Sequence, residues 1–224
     1  MASLTIENYV KAIYQITSAQ SGAPAATGQI AQALGVSPGT VTSMFVTLKD
    51  TGLAEYTPYE GVKLTPSGQK LALRVLRRHR LIELFLAQTL EMSWDEVHEE
   101  AENMEHAVSD LLVDRIDDYL GHPAVDPHGD PIPKADGTVV AERGRSLNQF
   151  QPGKRFQLVR VVDQSPEFLR YLSDSGLLLG AEGTVVENNT AARVVTIDMA
   201  GGQTTLSSDV ADKLLVAGVG GKPS

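Results

Sequence analysis

Three of the chain's five histidines, His79, His98 and His106, stand among carboxylates at helical spacing. His79 and Glu83 are four residues apart, and His98, Glu102, Glu105 and His106 follow in a single stretch. On one helix at roughly 100° per residue these last four fall at about 0°, 40°, 340° and 80°, a narrow stripe. An imidazole-plus-carboxylate face on each of two neighbouring helices has the donors to close on a divalent cation. Acidic helices are mostly solvated surfaces, but the shared phase of histidines and acids favours metal here. Catalytic signatures fail in turn. A H-E-x-x-H metalloprotease motif begins at His98-Glu99 and meets Glu102 where its second histidine belongs. The paired Glu-x-x-His of a di-iron bundle is also missing, because Leu76, Asp95 and Asn103 stand three residues before His79, His98 and His106. Neither a P-loop nor a G-x-G-x-x-G nor a Ser/His/Asp arrangement is evident, so a sensor is expected rather than an enzyme, with no small organic substrate.

Composition sets the bounds. With 224 residues, 42% of them hydrophobic, the chain can hold one large domain or two to three small ones. It has no cysteine, so disulfides and thiolate metal sites are excluded and any metal must be held by nitrogen and oxygen. The first residues lack a basic and apolar leader pattern, and no apolar run approaches the ~18 residues of a membrane span, so a cytoplasmic protein without membrane partners is expected. The net charge of −9 alone argues against nucleic acid, but its distribution does not. Residues 91–130 carry thirteen acids against one base, Arg115, a net of −12 that leaves +3 for the remainder. Upstream, Arg74, Arg77, Arg78 and Arg80 form a basic cluster that either pairs with this acidic segment or faces another partner.

The elements that must position these residues read as follows. Ile6 to Ile16 has a helical apolar period, and a short helix from Thr27 to Leu34 is followed by a Gly35-Val36-Ser37 corner. Ser37 as N-cap and Pro38 at the first helical position open a second helix to about Asp50. Leu53–Tyr56 and Val62–Leu64 flank a turn and predict a hairpin, and Thr65 to Gly68 opens a further helix. Helix, helix-turn-helix, hairpin and helix in this order make a winged helix-turn-helix. Residues 67–90 and 94–120 are expected to be helical, the second with an apolar stripe from Val97 to Leu120 that favours dimerisation. Gly121 to Gly144 reads as an irregular Pro/Gly-rich linker in which His128 and Asp130 are expected to be turn residues. From Phe156 to Val216 several short strands and one helix predict a small SH3-like barrel. The fold class is thus mainly α with small β, divided as 1–72 winged helix, 73–143 helical metal-binding and dimerisation domain, and 144–224 SH3-like (FeoA-like) domain.

Over essentially its full length, the chain resembles the diphtheria-toxin-repressor/manganese-repressor family of metal-dependent transcriptional regulators. The resemblance rests on the winged helix, on Arg77-Arg78-His79-Arg80-Leu81-Ile82-Glu83, on Val97 to His106, on Asp126-Pro127-His128-Gly129-Asp130-Pro131-Ile132-Pro133 and on the C-terminal SH3-like segment. It implies a primary metal site of Glu102, Glu105 and His106 with Asn8 from the first helix, or Glu7 in place of Asn8. It implies a second site of His79, Glu83 and His98, completed by polar side chains of the SH3-like domain for which Asp163, Gln164 and Glu167 are candidates. Iron-responsive members carry Cys and Met where this chain has Glu102 and Asn8, manganese-responsive ones Glu and Asp, and Lys11 stands where a short manganese-type member has a further Glu. Hard oxygen donors suit Mn²⁺ without rejecting Fe²⁺, so Mn²⁺ is the expected cofactor and Fe²⁺ the alternative.

The resemblance further implies a homodimer on double-stranded operator DNA, with metal charge relieving carboxylate repulsion and fixing the separation of two recognition helices. Ser37, Pro38, Gly39, Thr40, Thr42 and Ser43 are small, suiting methyl and hydroxyl contacts in the major groove. Thr27, Gln29, Lys49, Tyr59 and Lys63 are expected on phosphates. The competing class is a metalloenzyme that uses its winged helix as a protein-interaction module.

Overall fold

The computed structural model describes residues 4–140 and 144–219, so the expected boundary after residue 143 lies outside the described residues. The chain forms two compact units. One holds the chain through His79 together with Glu105–Val108 and Pro133–Thr138, and the other holds Arg80–Met104, Ser109–Ile132 and the chain from Val139 onward.

In the first unit α1 (Leu4–Ala19), α2 (Thr27–Leu34) and α3 (Pro38–Asp50) precede the antiparallel pair β1 (Ala54–Thr57) and β2 (Gly61–Leu64), after which α4 (Pro66–Thr89) begins. Gly35 ends α2 in the left-handed conformation at φ 64°, and its N–H reaches back to the Ala31 and Gln32 carbonyls. A side chain would strain that corner. Ser37 Oγ then accepts from the Thr40 N–H at 3.2 Å, which starts α3 where its cap and Pro38 place it. Val10, Ile13, Ile30, Val41, Phe45, Leu48 and Val62 are fully buried. Each such large side chain contributes about 1.5–3 kcal/mol of apolar transfer, enough for the helix-turn-helix and wing to share one core.

The second unit takes α4 from Arg80, then α5 (Val97–Met104), α6 (Asp110–Tyr119), and a six-stranded antiparallel sheet. Its strands β3 (Arg145–Ser146), β4 (Arg155–Val161), β5 (Glu182–Asn189), β6 (Val194–Met199), β7 (Gly202–Ser207) and β8 (Leu214–Gly218) run in the order β3-β8-β4-β5-β6-β7. Helix α7 (Pro166–Asp174) and the one-turn α8 (Ser208–Ala211) connect them. Phe156, Leu158, Leu169, Leu172, Val185, Val195 and Ile197 fill the barrel.

Two expectations are corrected. Residues 94–120 are not one helix: α5 stops at Met104, Glu105 to Val108 lie in turn, and Ser109 caps α6 by accepting from the Leu112 N–H at 3.3 Å. The stripe computed for a continuous helix therefore breaks between Glu102 and Glu105. The Pro-rich segment is not an irregular linker throughout, because Asp126, His128 and Asp130 are buried and Val125 bridges Pro131.

Candidate metal centres and DNA-reading helix

In the first unit Glu105 is fully buried and is met by two cationic or imidazole groups. Lys11 Nζ donates to both of its oxygens at 2.9 Å, and His79 Nδ1 lies 2.6 Å from Oε2. Burial pushes the Glu105 pKa up, but the hydrogen bonds and charges of His79 and Lys11 outweigh it and hold the carboxyl below its ordinary value. Glu7 Oε2 stands 2.8 Å from His106 Nδ1, and Arg78 lies 3.7 Å from its other oxygen. A carboxylate on one ring nitrogen fixes the tautomer and leaves the other nitrogen with its lone pair, the usual arrangement behind a metal-bound imidazole. That other atom, His106 Nε2, is buried with no hydrogen-bond partner, lies 3.3 Å from Glu105 Oε1, and shares its orphaned state with the buried Asn8 Oδ1. Buried polar atoms without partners are costly. An imidazole nitrogen and an amide oxygen left in this condition are donors that a divalent cation would satisfy, and the nearby Glu105 carboxylate, held by Lys11 and His79, would add negative charge. Of the two alternatives on α1, Glu7 is hydrogen-bonded to His106, and Asn8 Oδ1 is the one without a partner.

Helix α4 carries His79 and Glu83 one turn apart. In the second unit Glu83 is buried and its Oε1 meets His98 Nδ1 at 3.0 Å, while its Oε2 lies 4.0 Å from Nδ1 of the fully buried His128. Glu83, Asp126 and His128 offer ligand atoms that all lie within 4.8 Å of one another. His128 Nε2 is 2.7 Å from the Trp94 carbonyl, which can only accept, so Nε2 carries the hydrogen and Nδ1 the lone pair. Nδ1 and Asp126 Oδ2 are buried without hydrogen-bond partners. Burial raises the Asp126 pKa well above its ordinary value, the Glu83 and Asp130 charges add to the rise, and Arg80 only partly offsets it. Two carboxylate oxygens and an imidazole nitrogen in such a place fit a second cation.

The two barrel acids expected as ligands have other neighbours. Asp163 is taken up by Lys213 Nζ at 2.7 Å and by the Ser165 N–H at 3.0 Å, and Glu167 is exposed beside Arg170. Gln164 donates to Asp130 at 2.8 Å. Glu102 is half-buried on α5 in the second unit. Asp126 and His128 do not stand out in the sequence, because nothing in a Pro/Gly-rich run signals burial and His128 is in phase with no helix.

On α3 the exposed face holds Thr40, Thr42, Ser43 and Thr47, opposite the buried Val41, Phe45 and Leu48. Pro38 and Gly39 are exposed with Ser37 at its first turn. Thr42 donates to the Pro38 carbonyl and Ser43 to that of Gly39, at 3.0 and 3.1 Å, so their oxygens face outward as acceptors. Lys49, Lys63 and the wing-tip Tyr59 are exposed and Thr27 is half-buried. Gln29 is occupied, accepting from the Ala26 N–H at 2.9 Å as a cap of α2 and donating to Gln20.

Comparison with known proteins agrees with this arrangement along the chain. Residues 1–62 match the iron dependent repressor N-terminal DNA binding domain, 65–134 its metal binding and dimerisation domain, and 145–218 the FeoA domain. The iron-dependent repressor IdeR of Mycobacterium tuberculosis is 30% identical over 193 residues, covering 81% of this chain and 83% of its own. The diphtheria toxin repressor of Corynebacterium glutamicum is 29% identical over 97% of both chains. A solved manganese-dependent transcriptional repressor in complex with manganese is 38% identical, with a TM-score of 0.85 over 96% of this chain and 100% of that one. Among the described residues no helix is long and apolar enough to cross a membrane. The chain belongs to the diphtheria-toxin-repressor/manganese-repressor family: it is a metal-dependent, DNA-binding transcriptional repressor and not an enzyme.

Proposed function

We propose that the protein is a Mn²⁺-responsive repressor of metal-uptake genes, acting in the cytoplasm as a homodimer on operator DNA, with Fe²⁺ as the alternative effector. The observation that carries this reading is two buried, unpartnered donors in one unit, Asn8 Oδ1 and the His106 Nε2 that lies 3.3 Å from Glu105. Oxygen and imidazole nitrogen are the donors, and the chain has no thiolate to offer. Such a set suits Mn²⁺ and lacks the soft ligand that would favour Fe²⁺. When bound, a divalent cation supplies the positive charge that these groups share. Asn8 then holds α1, Glu7 keeps His106 in its tautomer, and Glu105 links both to the residues around Lys11. Since α1 packs in the core that also holds α2 and α3, ordering its Asn8 orders the DNA-reading unit.

Glu83, Asp126 and His128 hold a second cation, with His98 on the outer oxygen of Glu83. The small residues Ser37, Pro38, Gly39, Thr40, Thr42 and Ser43 read base edges and thymine methyls. Lys49, Lys63, Tyr59 and Thr27 contact the backbone.

The test is retention of the protein's own promoter duplex against free Mn²⁺, Fe²⁺ under anaerobic conditions and Zn²⁺, with an EDTA control. Retention should require metal and be lost in His106→Ala, whose circular dichroism should match the parent. Equal retention after exhaustive EDTA treatment overturns the reading. Half-saturation at lower free Fe²⁺ than Mn²⁺ exchanges the effector for iron.

A further inference from the structure

The geometry points to Arg160 as the positioning residue through which the barrel sets the second cation centre; the inference rests on the reading of Glu83, Asp126 and His128 as that centre. Asp126 Oδ1 accepts from the His128 and Asp130 N–H groups at 2.8 and 2.9 Å, so the three residues move as one turn. That turn is fastened to β4 at three points. The Val161 N–H donates to the His128 carbonyl at 2.9 Å. Gly129, at φ +87°, lies so close to the strand that a Cβ would stand 2.1 Å from the Val159 carbonyl oxygen and 2.7 Å from Arg160 Cα. Arg160 Nε forms an ion pair with Asp130 Oδ1, whose partner oxygen accepts from Gln164.

A bulge explains why Arg160 is available. The β4–β8 register shifts between Leu158 and Arg160, and an extra residue of this kind re-aims the side chains around it. The result is a guanidinium, its side chain only 17% exposed, placed on the carboxylate that closes the ligand turn. Of the acids on the barrel expected as ligands, Asp163 is paired with Lys213 and Glu167 is exposed beside Arg170. Through Arg160 the barrel contributes orientation to the ligand turn. With Asp130 held by Arg160 and His128 Nε2 held by the Trp94 carbonyl, Nδ1 is turned toward Glu83 and Asp126 before any ion arrives. Outer partners of this kind change metal affinity by about 10–100-fold when removed.

The experiment measures Mn²⁺ equivalents per chain on the full-length protein by equilibrium dialysis, together with amide exchange in the metal-free state. The parent should bind two equivalents and His128→Gln one. Arg160→Gln should keep the first equivalent and weaken the second at least tenfold, with faster exchange of the Val161 N–H, whereas Arg160→Lys should recover part of both. Asp130→Asn serves as a second variant with the same expected split if Arg160→Gln does not fold. Two equivalents of parental affinity in the folded Arg160→Gln or Asp130→Asn protein overturn the role of Arg160 and leave the centre standing. A parent that binds a single equivalent, unchanged in His128→Gln, overturns the second centre itself and the inference with it.

Discussion

Glu105 is charged because of what surrounds it. Its lowered pKa means that its contribution to stability is fully present above the ordinary value of 4.5 and is lost as pH falls through the lower folded value. Asp126 has the opposite sign, its raised pKa keeping a proton on the folded carboxyl at pH values where the unfolded one has lost it. A cation that takes Asp126 Oδ2 must displace that proton. Mn²⁺ binding at the second centre should therefore release a proton and tighten as pH rises above 3.8 toward the raised value. Calorimetry in buffers of different ionisation enthalpy reads the release, and enthalpies independent of buffer would show that Asp126 does not bind as a carboxylate. Asn8 allows a test of selectivity. Asn8→Asp adds an anionic oxygen and should tighten Mn²⁺, whereas Asn8→Met substitutes a soft thioether and should shift the Fe²⁺/Mn²⁺ affinity ratio toward iron. Equal ratios in competition dialysis of the two variants would remove Asn8 from the ligand set.

At the scale of elements, caps decided what periodicity could not. The Ser37-Pro38 start was readable as chemistry, and α3 begins there. Ser109 is a cap of the same kind, yet the apolar repeat runs through it, so a single helix was expected where Ser109 starts α6. Ser109→Ala should cost about 0.5–2 kcal/mol, seen as a lower urea midpoint and faster exchange of the Leu112 amide. An unchanged midpoint would mean that α6 is ordered by packing alone. The winged helix, α4, α7 and the central barrel strands were legible because each pairs its apolar pattern with a start or turn signal. β3 is two residues long and β8, Leu214-Leu215-Val216-Ala217-Gly218, lacks a polar alternation, so neither announced itself. Glu83 and His98 on helices, and Glu105 and His106 in the turn that follows α5, stood out by spacing. Asp126 and His128 did not, because their burial comes from a strand more than twenty residues later in the chain.

The charge of the whole molecule links metal to stability. The net of −9 is concentrated in residues 91–130 at −12, and like charges so close oppose the compact state. Divalent ions at the two proposed centres would offset that repulsion and, by binding only the folded chain, would stabilise it. At a free concentration 100 times its dissociation constant one ion adds about 2.7 kcal/mol. The proposed centres draw their donors from different compact units, Asn8 and His106 in one, Glu83, Asp126 and His128 in the other. Mn²⁺ should raise the melting temperature of the parent, and EDTA should reverse the rise. His106→Ala should lose the part of the shift that reports on the winged-helix unit, and His128→Gln the part that reports on the barrel-containing unit. Amide exchange in Ile30 and Phe45 for the first, and in Phe156 and Val195 for the second, separates the two. NaCl at matched ionic strength screens charge without occupying donors, so a comparable rise with NaCl would show that Mn²⁺ acts by screening and not through these ligands.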